Sequence, residues 1–275
     1  MPRIPLEDNF DDVINKAQRG RHITDQALAE RAQVSLEDLA AVKSGKTLDA
    51  VIRRVARHLG LNPNALEALA HKKWYPEIPA FPRGFAAFNT PFEDMTVNSY
   101  LAWDSRDRLA VAFDTGANCD AMLDVIAAEK LNLRYIFITR THDDHIADLA
   151  KLADAHPQAE IWTHELEPID RPGVKTFNEG VHFHCGSLDI KTLLTSGHSP
   201  GMTTFFVSGL SWPLAVVGDS IFSSSMGGSP THFLDQYDHN VKKILPLPRD
   251  TVIAPGHGPI TTLMQEKRHN PFFAR

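Results

Sequence analysis

Four short stretches of this chain set imidazoles and carboxylates close together. "TRTHDDH" carries Arg140, His142, Asp144 and His145, "SGHSPG" carries His198, "GDSIF" carries Asp219 and "PGHGP" carries His257. Neutral imidazole nitrogen and carboxylate oxygen are donors for a borderline divalent ion such as zinc, and iron and manganese accept the same set. A bound cation also offsets the cost of taking such groups out of water. Singly, each stretch has a plainer explanation. Asp143 and Asp144 suit the positive end of the helix that "IADLAKL" announces, and the other three are turn signals. Jointly they point to one metal centre, because each stands behind an apolar run that reads as a strand.

Those runs are "LRYIFIT", "IKTLLT", "LAVV" and "TVIAP". Loops just beyond strand ends can converge while the sheet holds their roots rigid, which is where α/β proteins build sites. Further strand candidates are "TVNSYLAWD", "RLAVAFDTG", "AEIWTH", "VKTF", "TTFFVSG" and the segment around "HFHC". Helical spacing marks "ANCDAMLDVIAAEKLN" and "IADLAKLADAHP". The expected class is α/β, with strands covered by helices.

The four motifs together resemble the metallo-β-lactamase superfamily, whose pattern is T-H-x-H-x-D-H, a His in a G-H-T/S-P-G turn, an Asp in G-D-x-x-F and a His in G-H-G-P. The compact bacterial glyoxalase II-like hydrolases are the nearest likeness, and "GHGPITTLMQEKRHNPFF" is similar to their tail almost throughout. The resemblance covers roughly 88–275 and implies an αββα sandwich with metals at one edge. It assigns His142 and His198 to one metal position and Asp144, His145 and His257 to the other, with Asp219 bridging. The chain departs from the pattern at Arg140, which stands where the first His belongs. Arginine stays protonated and ligates no metal. The expectation is one ion, zinc most naturally, in the second position, and a weak or vacant first position. Arg140 then supplies the missing positive charge, either to Asp219 or to an anionic group of the substrate, and Asp144 takes the proton of the attacking water. Gly228 stands where many relatives carry Arg, and the chain stops soon after "RHNPFFAR" without the glutathione-binding helical domain of the larger glyoxalase II enzymes, so lactoylglutathione is not the expected substrate. Asp114 is expected to organise a turn beside the site. Asn98 and Tyr100 are expected to pack, and His182, His184 and Cys185 to be structural.

Residues 6–72 read differently. "TDQALAERA", "SLEDLAAVKSG", "TLDAVIRRVARHLG" and "NPNALEALAHKKW" are short helices, with Thr24 or Asp25, Ser35, Thr47 and Asn62 as caps and Pro63 at a first helical position. Their order resembles a Cro/repressor-type helix-turn-helix domain. The would-be recognition helix begins with Glu37 and Asp38, which repel phosphate, so DNA is disfavoured as a partner although Lys43, Lys46, Arg53 and Arg54 could reach a backbone. A helical module for dimerisation, or for covering the second domain, is preferred, and a homodimer is expected. The boundaries expected are 1–73 for this domain and 74–275 for the metallo-β-lactamase-fold domain, joined through the Pro- and aromatic-rich "KKWYPEIPAFPRGF".

A net charge of −6 gives no basic field for nucleic acid, and no run is long and apolar enough for a bilayer. Two cysteines, Cys119 and Cys185, make no disulfide framework, and "MPRIPLEDNFDD" lacks a signal-peptide layout, so a cytoplasmic protein is expected. The function expected is a metal-dependent hydrolase of a small-molecule ester, thioester, lactone or phosphodiester, with anionic substrates among the candidates. The alternative is a weakly catalytic or non-catalytic metabolite- or metal-sensing regulator carrying a helix-turn-helix module.

Overall fold

The computed structural model describes residues 3–275. Five helices come first: α1 (Phe10–Gly20), α2 (Asp25–Ala32), α3 (Leu36–Lys43), α4 (Asp49–His58) and α5 (Pro63–Ala70). Strands β1 (Phe85–Phe92), β2 (Met95–Trp103) and β3 (Leu109–Phe113) follow, then α6 (Asp120–Ala128), β4 (Asn132–Phe137), α7 (Asp143–Ile146), α8 (Leu149–Ala155), β5 (Glu160–His164) and β6 (Lys175–Phe177). They form one sheet in the order β1-β2-β3-β4-β5-β6, antiparallel across its first three strands and parallel thereafter. The second sheet runs β12-β11-β10-β9-β8-β7. Its strands are β7 (His182–Cys185), β8 (Leu188–Leu194), β9 (Thr203–Ser208), β10 (Leu214–Gly218), β11 (Val252–Pro255) and β12 (Thr261–Thr262). Helix α9 (Phe233–His239) continues into a π-turn over Asn240–Ile244, and α10 (Leu263–His269) closes the chain.

Three apolar clusters show the layers. One lies between the sheets, where Phe113, Phe137, Phe183 and Phe205 interdigitate. A second joins the outer face of the first sheet to α6 and α8 through Met122, Ile126 and Leu152. The third joins Ala215, Val217 and Ile253 on the outer face of the second sheet to α9 and to all five N-terminal helices. The N-terminal helices therefore share their hydrophobic core with that sheet. Helix α1 packs so closely on α9 that a Cβ at Gly20 would collide with the Phe233 ring. The layers run helix, sheet, sheet, helix, the αββα sandwich expected.

Most local signals match. Thr24, Ser35 and Asn62 accept the capping N–H bonds of α2, α3 and α5, and Pro63 opens α5. Thr47 does not cap: α4 starts at Asp49, with Leu48 at the boundary turned onto the helical core and no side-chain cap. The linker expected to run through Phe85 ends earlier, because β1 begins there. Its Pro91 is tolerated at a sheet edge, where an N–H is not needed. Helix α9 and its π-turn had no counterpart in the sequence reading. On α3, Leu36 is exposed and Glu37 and Asp38 stand at the N-terminus. Lys43 is paired with Asp25, Arg53 with Glu67, and Arg54 donates to the Gln33 carbonyl. Among the described residues, no helix is long and apolar enough to cross a membrane. Cys119 and Cys185 are both free and buried.

Candidate metal centre

The strand ends deliver their loops to one edge of the sandwich. After β4 the chain passes through Thr139 and Arg140 and turns into α7, where His142 is the boundary residue and Asp144 and His145 are buried in the first turn. Asp219 follows β10 and His257 follows β11, two parallel neighbours. Gly256 permits the approach: a Cβ there would collide with Asp219 Oδ1 and come within 2.8 Å of His145 Cε1.

Asp144, His145 and His257 are all buried, and one donor atom from each lies within 4.8 Å of the others. His145 Nε2 is 3.3 Å and His257 Nε2 3.2 Å from Asp144 Oδ2. Asp219 completes the rim, 3.8 Å from His145 Nε2 and 3.6 Å from His257 Nε2. Each imidazole is held from behind. His145 Nδ1 meets Asp114 Oδ2 at 2.6 Å, and Asp114 is itself fixed by the Thr139 N–H and hydroxyl, both at 2.7 Å. His257 Nδ1 meets the Thr96 carbonyl at 2.8 Å. In the neutral ring an acceptor on Nδ1 puts the proton there, so that Nε2 is the nitrogen that can offer a lone pair inward. His145 Nε2 is buried without a hydrogen-bond partner, an orphan that a cation satisfies. The donor set of two imidazoles, one carboxylate and an adjacent second carboxylate therefore fits a divalent ion.

The other half of the constellation differs. Arg140, 2 % exposed, ion-pairs through Nη1 with Asp219 Oδ1, and its Nη2 lies 3.4 Å from Asp144 Oδ2 and 3.3 Å from His257 Nε2. Its Nε donates to His142 Nδ1 at 2.9 Å. That bond occupies one nitrogen of His142 and directs the proton to the other. His198 Nδ1 meets the Gly228 carbonyl at 2.8 Å, and its Nε2, 3.4 Å from Asp219 Oδ2, has no hydrogen-bond partner. The His142 and His198 rings are 5.0 Å apart between centroids. Of the two roles expected for Arg140, burial and contact support the pairing with Asp219 over a grip on substrate.

Charge follows the geometry. Burial pushes the Asp219 carboxyl up, but the Arg140, His257 and His198 charges outweigh it and hold the group well below the usual carboxylate range. Asp144 is likewise held low: burial opposes ionisation, and the adjacent His145 and His257 rings and the Arg140 charge overcome it. His257, opposed by burial, is raised to about 9 by Asp219 and Asp144. A divalent ion competes with that proton for Nε2, so metal binding there releases protons. Burial drives His198 down to about 4. Burial and Arg140 both lower His142.

This arrangement can be set beside known proteins. The metallo-beta-lactamase superfamily profile matches residues 93–257, well over half of the chain. The chain belongs to the metallo-β-lactamase superfamily. Among relatives of this superfamily member, the probable metallo-hydrolase M6_Spy0554 of Streptococcus pyogenes serotype M6 is 29% identical over 192 residues, 61% of this chain and 82% of the relative. The hydroxyacylglutathione hydrolase GloC of Haemophilus influenzae is 27% identical over 198 residues, 64% of this chain and 92% of the relative. The structure of TTHA1623 in a di-iron-bound form superposes with a TM-score of 0.56 at 26% identity, covering 67% of this chain and 99% of that one. The chain is thus a metallo-hydrolase-type superfamily member with glyoxalase II-like relatives.

The structure gathers all seven of Arg140, His142, Asp144, His145, His198, Asp219 and His257 at one edge, and Asp114, expected to organise a turn beside the site, holds His145 Nδ1 there. His182 and His184 are exposed on β7, facing Asp189. Asn98 does more than pack. Its Nδ2 donates to the Pro255 and Gly258 carbonyls at 2.9 and 2.8 Å, and its N–H to Gly256, so it pins the turn that carries His257. Tyr100 adds a hydroxyl bond to Pro255 at 2.6 Å. Sequence reading missed Glu167, whose buried carboxylate accepts from the Thr141 N–H and hydroxyl and from Gly201 N–H, tying the Arg140 loop to the His198 loop. Nothing in the "ELEP" context marks it. The Thr96 and Gly228 carbonyls were equally unreadable, because backbone acceptors carry no residue signature.

Proposed function

We propose that this protein is a metal-dependent hydrolase of a small ester, thioester, lactone or phosphodiester, working with one divalent ion and a fixed arginine in place of a second. The observation that carries the reading is the asymmetry of the site. Asp144, His145 and His257, with Asp219 beside them, form a buttressed donor set, while Arg140 lies against Asp219 and Asp144 and occupies His142. Asp144, His145, His257 and Asp219 would hold the ion. Zinc suits these donors, and iron and manganese accept them too. When bound, such an ion lowers the pKa of water and polarises an acyl or phosphoryl oxygen.

The remaining roles belong to the chain. Asp144 makes all its contacts at the centre through Oδ2, which leaves Oδ1 to accept the proton of an attacking water. Water oxygen bonds to the acyl carbon or phosphorus, the bond to the leaving group breaks, and that group departs with the proton. Asp114 and Thr96 keep the His145 and His257 rings oriented through the cycle. Arg140 neutralises Asp219 permanently, so a site with a single ion carries less net negative charge and receives an anionic substrate without repulsion. The free, buried thiols suit a reducing compartment, in keeping with a cytoplasmic location.

The test is a panel of thioester, lactone, carboxylester and phosphodiester substrates with Zn²⁺, Mn²⁺ or Fe²⁺ added to chelated protein. The expected result is metal-dependent turnover of at least one class, abolished in Asp144→Asn. Turnover in none, with metal bound, contradicts the reading.

A further inference from the structure

Beside the turn that follows His257, the sandwich has an apolar opening. Its walls come from the edge strand β1, from β2, from the turn after His257 and from the linker. The cavity encloses about 300 Å³ and includes Ala87, Tyr100 and Ile260, which belong to or pack on the inter-sheet core. Tyr75, Ile78 and Phe81 of the linker, with Ile4, form the outer wall. Ile78 and Phe81 are 47% and 40% exposed, among the few large apolar side chains of the described residues left in water. The linker itself is fixed in place, for Tyr75 Oη donates to the Ile4 carbonyl at 2.7 Å.

We propose that this cavity is a binding site for a small amphiphilic acid: one carboxylate on an acyl or aryl body of about eight to ten carbons. Size and chemistry both support this. A space of this volume takes roughly ten groups of ~30 Å³ each, and an apolar cavity holds hydrocarbon in preference to water. The amides on its floor are already engaged, Asn98 with Pro255 and Gly258, and Asn89 with Asn98 and Thr96. The floor therefore favours a hydrocarbon body over a polar one. The mouth holds a cation. Arg3 lies 3.6 Å from the Tyr75 ring centroid, and among the described residues no carboxylate pairs with it. A guanidinium stacked on an aromatic ring keeps its edge free for a carboxylate. The site does not depend on the hydrolase reading, but it adjoins it: Gly258 follows His257, and Asn98 pins the same turn.

The experiment is isothermal titration of full-length, chelated protein with octanoate, 1-octanol and octylamine, repeated on Ile78→Asp, Arg3→Ala and Asp144→Asn. Both residues replaced at the cavity mouth are solvent-facing, and circular dichroism checks that the variants fold. The expected result is one octanoate per chain with Kd of about 1 mM or tighter, octanol weaker by about threefold and octylamine weaker still. Ile78→Asp weakens octanoate at least ~10-fold by placing a charge in the apolar wall. Arg3→Ala brings octanoate down to the octanol level, and Asp144→Asn changes nothing. Absence of octanoate binding overturns the proposal. So does binding indifferent to both mouth substitutions, or lost in Asp144→Asn.

Discussion

The two halves of the metal centre differ less in what residues they contain than in what stands behind them. On one side, His145 and His257 each rest Nδ1 on a fixed acceptor, Asp114 or the Thr96 carbonyl, and turn Nε2 inward towards Asp144. On the other, His142 takes its hydrogen bond from Arg140, a donor, and only His198 keeps an acceptor, the Gly228 carbonyl, behind Nδ1. On the proposed reading, a single change from the superfamily pattern costs the first position two ligands. Arg140 cannot coordinate, and it also occupies His142. The same guanidinium returns positive charge to Asp219. An imidazole becomes a ligand through its second hydrogen bond as much as through its own nitrogen.

The comparison breaks most visibly at Asp144. Asp144→Asn removes the charge that both buttressed imidazoles share and the acceptor for the water proton, so kcat/KM should fall by about 10³-fold or more. His142→Ala, on the other half, should cost less than about 10-fold in the same assay. Equal losses would show that the halves work together. Next in size is Arg140→Met. In chelated protein it removes the buried ion-pair partner of Asp219, and denaturant titration should show a loss of up to about 3–5 kcal/mol. Added Zn²⁺ should recover more of that loss than it adds to the parent.

A third test is the pH dependence of chelated protein. Burial lowers the His198 pKa to about 4, against an ordinary value of 6.5. The unfolded chain therefore binds a proton below 6.5 that the folded chain refuses until about 4. Stability from this group is present above 6.5 and is lost as pH falls towards 4, by at most about 3 kcal/mol. His198→Gln should flatten that part of the pH–stability curve. A fourth test is Asp114→Asn, which loosens His145 without touching the ion. Metal affinity should drop about 10- to 100-fold, read by competition with a chromophoric chelator.

Much of this was legible in the sequence for a physical reason. Ligand residues must sit past strand ends, and strands that are apolar on both faces announce themselves, so "LRYIFIT" before Arg140 and "TVIAP" before His257 were readable. Arg140 itself was readable as the exception, since no register of the motif turns it into a ligand. The supports were harder. Asp114 followed a strand and could be placed, but Glu167 and the Thr96 and Gly228 carbonyls act through backbone and tertiary contacts that no local pattern encodes. Edge strand β1 was hidden by Pro91, and the Thr47 cap was displaced because Leu48 turns onto the core. Four of the five N-terminal helices were readable one by one, and α1 was not singled out. Their shared core with the second sheet was not readable, because a helix's apolar stripe does not say which surface it will cover.

The most direct test of the unequal halves is metal content per chain. Protein reconstituted with excess Zn²⁺, freed of unbound ion and assayed by elemental analysis should retain one ion, and Arg140→His should retain two. Two tightly held ions in the parent chain, with His142 and His198 coordinating the second, would contradict the account.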